Sequence, residues 1–390
     1  MTIAAHILGK SSSQSILLAS AGRVAQSLGL HRLGTESDHV SVDQRRQREA
    51  GRRVFNQLCT QDWFQIPFSE SYSLNPRFST TKKPLNCNDD DMVPQAQSFP
   101  TQASYCNYRY EIAALMPQLL DATSECNSMF TKYEQVLKYD DKMRKLATTS
   151  MPTFLSTSEA ISTTWPIYVG WARRSLAICA AHKIIMIHRK FLGLSFTNTA
   201  YSFTRRTCVA AAKTILKEAL SATDQNGPML WIEQAFSVAA GIVLTLDNAH
   251  KYFQQDEHSD HTVLMGRTIE YLRSFKGSSI ASRGAQLLSA LQAELRRGYF
   301  RGSSKRQREA EEVVSTTPAK HPRLPNPQGP THDNPSTIHS QQIATNLRRF
   351  TVQSAANPSG GFWDMPSHQF PIDVTLGAQD LFDDLLSFQL

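Results

Sequence analysis

The sequence predicts an all-α protein in which antiparallel helix pairs pack around a shared core. Over residues 1–300, apolar residues recur at steps of three and four, which is the period of one helix face. We find no convincing run of alternating apolar and polar residues, the pattern of a half-buried strand. With 390 residues, of which 41% are hydrophobic, the chain can bury a sizeable core. These observations favour a helical bundle-like domain.

Two amphipathic helices joined by a polar loop are predicted between Leu17 and Asp62. Gly29 lies near the end of the first helix, where glycine often ends a helix. The apolar face of the first helix should comprise Leu17, Leu18, Ala21, Val24, Ala25, Leu28 and Leu30. The second helix begins with Arg45, Arg46, Arg48, Arg52 and Arg53, and its apolar side carries Val54, Phe55, Leu58 and Trp63.

The rest of the helical domain, which we expect to span residues 1–300, keeps the same period. Proline, serine, threonine and asparagine predict a long irregular loop over residues 66–101, and a second connection is expected at Ser150–Thr164. The strongest helical pattern runs from Pro166 to Leu194. Proline suits the first turn of a helix, so Pro166 is well placed at its start. The other helices are predicted at Ser104–Asp121, Ser124–Leu146, Tyr201–Leu220, Met229–Phe253, Thr262–Phe275 and Ile280–Tyr299.

Several short motifs follow one another in a fixed order. Gly29-Leu-His-Arg32 precedes Glu49-Ala-Gly-Arg-Arg-Val-Phe55, and Ile187-His-Arg-Lys-Phe-Leu192 precedes Tyr201-Ser and Cys208. This order resembles the regulatory domain of fungal zinc-cluster transcription factors, over roughly residues 15–275. The residues that match the first motifs are Gly29, Leu30, His31, Arg32, Arg52, Arg53 and Asp62, whereas Asn56 stands where the pattern usually has an aromatic residue.

The resemblance implies an all-helical domain that modulates activity, mediates dimer contacts and controls a metabolic gene set, frequently a secondary-metabolite cluster. The DNA-binding zinc cluster of that family needs six cysteines within about thirty residues. The cysteines of this chain are instead scattered, at Cys59, Cys87, Cys106, Cys126, Cys179 and Cys208. Either the DNA-binding half was lost in evolution or this is a shortened gene product, and we expect any DNA contact to be indirect.

The composition of the chain indicates in which cellular compartment it acts and which kinds of partner it can bind. The net charge of +7 mildly favours an anionic partner. The first residues lack the charged start of a signal peptide, and no uncharged apolar run reaches about 18 residues, so we expect neither export nor a transmembrane helix. Scattered cysteines are typical of reduced thiols in an intracellular protein. We therefore expect a soluble chain without a membrane partner.

The arginine cluster over residues 45–53 has two interpretations. Guanidinium groups offer forked donors to anions, so the cluster could bind phosphates. The favoured alternative is that these arginines pair with Asp and Glu side chains and stabilise an interface between helices. The position of the cluster in the regulatory domain, and not in a zinc cluster, supports this alternative.

Residues 301–360 differ in composition from the helical domain. They are rich in Pro, Asn, Gln, Ser and Thr, which predicts disorder. Two basic clusters within them have a spacing that suits a two-part nuclear import signal, and the alternative is a solvated charge run. The candidate import residues are Lys305, Arg306, Arg308, Lys320 and Arg323.

Residues 361–390 combine aspartates with large apolar residues and contain no lysine or arginine. In a short helix, apolar residues would share one side and enter the groove of a partner, as acidic activation segments do. The alternative is a helix that docks back on its own domain. The activation candidates are Asp380, Leu381, Phe382, Asp383, Asp384, Leu385, Leu386 and Phe388.

An enzyme is the remaining class, and few residues support it. Asp89-Asp90-Asp91 is similar to the aspartates of magnesium-dependent prenyl chemistry, but that chemistry needs aspartates one helical turn apart. His182 and His188 fall on different helix faces, whereas a zinc pair needs a spacing such as i, i+4. We therefore predict no catalytic residue, no metal and no cofactor.

Taken together, the residues and the resemblance predict a nuclear transcription regulator. Its expected partners are the transcription machinery or a co-activator, and it can form homodimers or heterodimers. The alternative is a helical co-regulator that modulates a DNA-bound factor without touching DNA. An all-α lyase is a third hypothesis.

Overall fold

The computed structural model describes residues 11–35, 41–90, 92–221, 230–253, 261–293 and 295 of the chain. No described residue belongs to a β-strand and helices dominate, so the predicted all-α class is confirmed. In chain order the helices are α1 (Ser11–Ser27), α2 (Val42–Phe64), α3 (Ile66–Ser69), α4 (Ser104–Ser124), α5 (Met129–Ala147), α6 (Tyr168–Leu192), α7 (Ser202–Leu220), α8 (Trp231–Phe253), α9 (His261–Ser274) and α10 (residues 279–293).

Helix α6 occupies the middle of the bundle. It packs against α4, α5, α7 and α8, while α7 also packs against α8 and α9. Residues on all sides of α6 are therefore buried, and Ile178, Ile185 and Leu192 are completely enclosed. Burial on all sides places α6 in the interior, although buried polar residues such as Lys183 and His188 also belong to this helix.

Helix α1 lies at the edge of the bundle, and the predicted width of its apolar face is wrong. Leu18 and Ala25 are buried, but Val24 and Leu28 are 59% and 70% exposed. Within the described residues α1 packs mainly on α2 and on the turn that follows it, so that only a narrow stripe is covered. The helix ends at Ser27, and Gly29 adopts a left-handed conformation with φ of 72°.

Capping side chains set two helix starts. Ser41 accepts a hydrogen bond from the backbone nitrogen of Gln44, whose side chain accepts one from the Ser41 nitrogen, and α2 begins at the next residue. Ser128 and Thr131 form the same reciprocal pair before α5. Helix α5 therefore begins at Met129, five residues after the predicted start at Ser124.

The close approach of α8 and α10 depends on two glycines. A Cβ atom at Gly241 of α8 would lie less than 3.0 Å from the side chain of Leu288 in α10. A Cβ atom at Gly284 of α10 would meet Val238 of α8 just as closely. Among the described helices, none combines the length and the apolar character that a bilayer span requires.

The long irregular loop predicted over residues 66–101 is confirmed for its described residues, and the irregular segment extends to residue 103. Within the described residues of this segment, which leave out residue 91, the regular elements are the short helix α3 and a 3₁₀ turn at Pro76–Phe78. Leu74 is buried at 4% exposure and lies beside Gly22 of α1. This long loop carries most of the candidate site.

Candidate functional site

The Gly29–Arg32 motif forms a turn that is held through its backbone. The carbonyl oxygen of Leu30 accepts a hydrogen bond from Thr81 Oγ1 at 2.5 Å, and that of His31 accepts one from the Thr80 nitrogen at 2.9 Å. The backbone nitrogen of Lys82 donates a hydrogen bond to the carbonyl oxygen of Leu33 at 3.1 Å. The turn after α1 is thus tied to residues 80–82 of the long loop.

Arg52 links this turn to α2 from a buried position. Its side chain is 3% exposed, its Nη2 donates to the Gly34 carbonyl at 3.0 Å, and its Nη1 lies 3.5 Å from Glu49 Oε2. Arg53, one residue on, places its Nε 3.3 Å from Glu49 Oε1 and forms an ion pair with Asp89. The two arginines that match the family motif therefore pair with carboxylates, in line with the favoured interpretation of the cluster.

Glu49 is the acidic centre of these contacts. Its side chain is 2% exposed, and its Oε1 accepts a hydrogen bond from the Leu85 nitrogen at 2.9 Å. Burial raises the pKa of the Glu49 carboxyl, although the Leu85 hydrogen bond and the neighbouring arginines oppose this effect. Glu49 thereby fastens a second point of the long loop to α2.

Asp62 fastens a third point near the end of α2. Its Oδ2 accepts hydrogen bonds from the backbone nitrogens of Ser73 at 2.9 Å and Leu74 at 2.8 Å. The indole nitrogen of Trp63 donates to the Leu74 carbonyl at 2.9 Å. Burial raises the pKa of Asp62 in spite of these backbone donors. The motif residues therefore form one set of contacts that clamps the long loop onto α2, which we call the loop clamp.

A crevice of about 70 Å³ opens beside the loop clamp, between α2 and residues 75–83. Aromatic and cationic side chains share its wall. The lining includes Arg52, Phe55, Asn56, Trp63, Lys82 and Tyr110.

A buried relay between α5, α6 and α7 was not predicted from the sequence. Asp140 Oδ1 lies 3.3 Å from His188 Nε2 without the alignment of a hydrogen bond, and His188 Nδ1 lies 2.9 Å from Thr204 Oγ1. Arg144 Nε donates to Asp140 Oδ2 at 2.7 Å. His188 is completely enclosed, so no substrate could reach its ring. The role of these contacts is therefore to join three helices. In the sequence, only the motif Ile187-His-Arg-Lys-Phe-Leu192 marked His188 as a residue of interest.

A similar acid–base pair joins α8 to α9. His261 Nε2 lies 3.0 Å from Asp247 Oδ2, and Lys251 Nζ lies 3.0 Å from the same oxygen. Both members of the Asp–His pair are buried. Since the two residues are fourteen positions apart and on different helices, their spacing in the sequence carries no signal.

The aspartates proposed for an enzyme are placed differently. Asp89 pairs with Arg53, Asp90 is exposed, and Asp91 lies outside the described residues. In the described ranges no group of three His, Cys, Asp or Glu side chains is arranged to hold a metal ion. His182 stacks on the Phe236 ring, with centroids 3.7 Å apart, and so does not act with His188.

The other two sets of predicted site residues lie outside the described residues. These are the import candidates Lys305, Arg306, Arg308, Lys320 and Arg323, and the activation candidates Asp380, Leu381, Phe382, Asp383, Asp384, Leu385, Leu386 and Phe388. Both sets, together with the proposed segments 301–360 and 361–390, stay predictions.

Comparison with known proteins identifies two relatives at modest identity. The chain is 24% identical over 247 residues to the agnestins biosynthesis cluster transcription factor AgnL11 of Paecilomyces divaricatus, a match that covers 57% of this chain and 35% of that relative. It is 25% identical over 227 residues to the Zn(2)-C6 fungal-type transcription factor pigI of Monascus ruber, covering 55% of this chain and 27% of the relative. No family model matches the chain, and no solved structure matches it significantly.

The chain thus spans about a third or less of the length of these curated relatives. Both relatives are named as transcription factors and not as enzymes. Over about half of its own length this chain is therefore similar to two fungal transcription factors, one of which is named as Zn(2)-C6 fungal-type.

Proposed function

We propose that this chain is a nuclear transcription regulator that controls a metabolic or secondary-metabolite gene cluster. The observation that carries the proposal is the match of about half of the chain to two transcription factors, one of them named for a biosynthesis cluster. The loop clamp supports it, because Arg52, Arg53 and Asp62, which carry part of the resemblance, all make buried or half-buried contacts on α2.

The proposed mechanism is recruitment. The basic clusters of residues 301–360 bring the chain into the nucleus, and the helical domain binds a partner, which includes a second copy of the chain. Residues 361–390 then contact the transcription machinery or a co-activator through their apolar side. Under this proposal the helical domain performs no chemistry, which agrees with the enclosed position of His188.

The alternative is a helical co-regulator that modulates a DNA-bound factor without touching DNA. Under this alternative the helical domain binds the DNA-bound factor, and residues 1–390 need make no contact with DNA. Under both forms of the proposal the chain acts on transcription through protein contacts. They differ in whether residues 361–390 activate transcription themselves.

A reporter assay separates the two forms. The full chain is fused to an unrelated DNA-binding domain whose sites lie upstream of a reporter gene. We expect activation that is lost when residues 361–390 are removed, or when Leu381, Phe382 and Leu385 are changed to alanine. A control variant changes the same number of exposed residues in α5. Full activation without residues 361–390 would contradict the activating role, and an inactive full chain would favour the co-regulator.

A further inference from the structure

The crevice beside the loop clamp holds a polar group that the fold does not use. Asn56 lines it and is only 6% exposed, yet its carboxamide makes no hydrogen bond within the described part of the chain. The carboxamide atoms do not belong to the fully enclosed polar atoms without a partner in the described residues, so they keep contact with solvent in the crevice. Because the side chain lies at a cavity wall, a bound molecule can supply the missing partner.

The charges around the crevice select the kind of molecule. Of the three cations that line it, Arg52 pairs with Glu49 and Lys83 pairs with Glu111. The third, Lys82, is exposed, and the ion pairs of the described residues do not include its ammonium group. One positive charge is therefore left unbalanced at the rim. It matches a monoanion better than a dianion such as phosphate.

The volume and the walls limit the size of the molecule. The crevice measures about 70 Å³, roughly half of the about 150 Å³ that holds a benzene ring in an engineered cavity. Phe55, Trp63 and Tyr110 give it an apolar side. It can therefore take a carboxylate with a few carbon atoms, while a larger ring would stay at the mouth.

Covalent capture is excluded by the state of the nearby thiol. Cys59 also lines the crevice, but burial raises its pKa to about 12, and the charge of Asp62 adds to this effect. The thiol therefore stays protonated at neutral pH and is a poor nucleophile. Any binding in the crevice is reversible.

We propose that this crevice binds the carboxylate group of a small organic acid. The Asn56 amide and the Lys82 ammonium group donate hydrogen bonds to the carboxylate oxygens, and charge-assisted bonds of this kind are the strong ones. Because Asn56 belongs to α2 and Lys82 to the long loop, the acid bridges the same two elements as the loop clamp. The inference holds whether or not the chain regulates transcription.

Saturation-transfer NMR on the full chain tests this, since it detects the weak binding expected of a ligand with few atoms. The probes are propionate, its neutral analogue propionamide, and inorganic phosphate, all at one ionic strength. We expect saturable binding of propionate in the millimolar range and no saturable binding of the other two. Asn56→Leu and Lys82→Ala should each weaken propionate binding at least about fivefold, a loss of about 1 kcal/mol of binding free energy.

Lys138→Ala is the matched control, because Lys138 is an exposed lysine on α5 and does not line the crevice. It should bind propionate as the unchanged chain does. If Asn56→Leu does not fold, Lys82→Ala decides alone, since Lys82 is exposed and its loss leaves the fold intact. The proposal is overturned if propionate shows no saturable binding, if propionamide or phosphate binds as well, or if Lys82→Ala has no effect.

Discussion

The guanidinium group of Arg52 lies 3.5 Å from the carboxylate of Glu49, and both side chains are at most 3% exposed. Both residues belong to α2, and each of them contacts a different segment that crosses this helix. Arg52 reaches the turn after α1, while Glu49 accepts from Leu85 in the long loop. One buried pair thereby connects three parts of the chain.

Removing Arg52 should destabilise the protein strongly. Arg52→Met leaves Glu49 buried with only the more exposed Arg53 as a cationic partner, and breaking a buried pair costs about 3–5 kcal/mol. We expect a loss of about 3 kcal/mol in the free energy of unfolding, measured by urea denaturation of the full chain. Arg45→Ala, at an exposed position of the same helix, should change it by less than about 0.5 kcal/mol. Equal effects of the two variants would contradict the buried role.

The Asp140–His188 relay should make stability depend on acid pH. Burial raises the pKa of Asp140, but the nearby His188 ring and the hydrogen bond and charge of Arg144 outweigh burial, and the folded-state pKa lies below the ordinary 3.8. A lowered carboxyl pKa contributes stability that is complete above the unfolded pKa and disappears as the pH falls through the folded one. The difference in unfolding free energy between the unchanged chain and Asp140→Asn should therefore be constant near neutral pH and shrink in acid. A difference that grows in acid would contradict this.

Lys183 is a buried lysine whose removal should stabilise the protein. It is 2% exposed, and its ammonium nitrogen lies 4.3 Å from the centre of the Phe64 ring. Burial lowers its pKa from 10.5 to about 8, with Cys179 opposing and Arg109 adding to the effect. Such a shift corresponds to about 3 kcal/mol of lost stability, of which the cation–π contact offsets about 1–2 kcal/mol.

We expect Lys183→Met to raise the melting temperature at pH 7, because the charged form is the one that burial disfavours. With a lowered lysine pKa, the unfolded chain holds the proton more tightly between about pH 8 and 10.5, so the unchanged protein gains stability as the pH rises through this range. The advantage of Lys183→Met should therefore shrink towards pH 10.5. A lower melting temperature of the variant at pH 7 would show that the ammonium group is held by contacts stronger than the cost of burial.

Nuclear import should depend on the two basic clusters. Changing Lys305, Arg306, Arg308, Lys320 and Arg323 to alanine removes both halves of the proposed signal. We expect the variant to stay in the cytoplasm when it carries a fluorescent tag large enough to prevent passive entry. A control with five lysines or arginines of the helical domain changed at exposed positions should enter the nucleus. An unchanged nuclear signal in the first variant would refute the import role.

The periodicity of the sequence predicts the bundle well where a helix is enclosed and less well at its edge. The strongest helical pattern, predicted for Pro166 to Leu194, corresponds to α6, which its neighbours bury on all sides. Val24 and Leu28 recur at the same spacing but remain exposed. The sequence of a helix does not determine how many other helices pack against it. The start of α5 depends on the reciprocal bond between Ser128 and Thr131, which periodicity ignores.

The candidate site was predictable in its residues and not in its contacts. Arg52, Arg53 and Asp62 follow from the motif, but the carboxylate partners of the two arginines are Glu49 of the same helix and Asp89 of the long loop, and not side chains of another helix. The partners Leu85 and Leu74 are backbone nitrogens of an irregular loop, which no residue pattern marks. Asp140 and His188 lie on different helices and meet only through tertiary packing.

The central claim is that the chain controls the transcription of one set of genes through its helical domain. RNA sequencing tests this most directly, in a strain that lacks the gene and in strains complemented with the unchanged chain or with Arg52→Met. We predict that transcripts of one contiguous biosynthetic cluster fall together in the deletion strain, return with the unchanged chain and return less with Arg52→Met. A deletion strain with an unaltered transcript profile, under conditions in which the chain is expressed, would contradict the account.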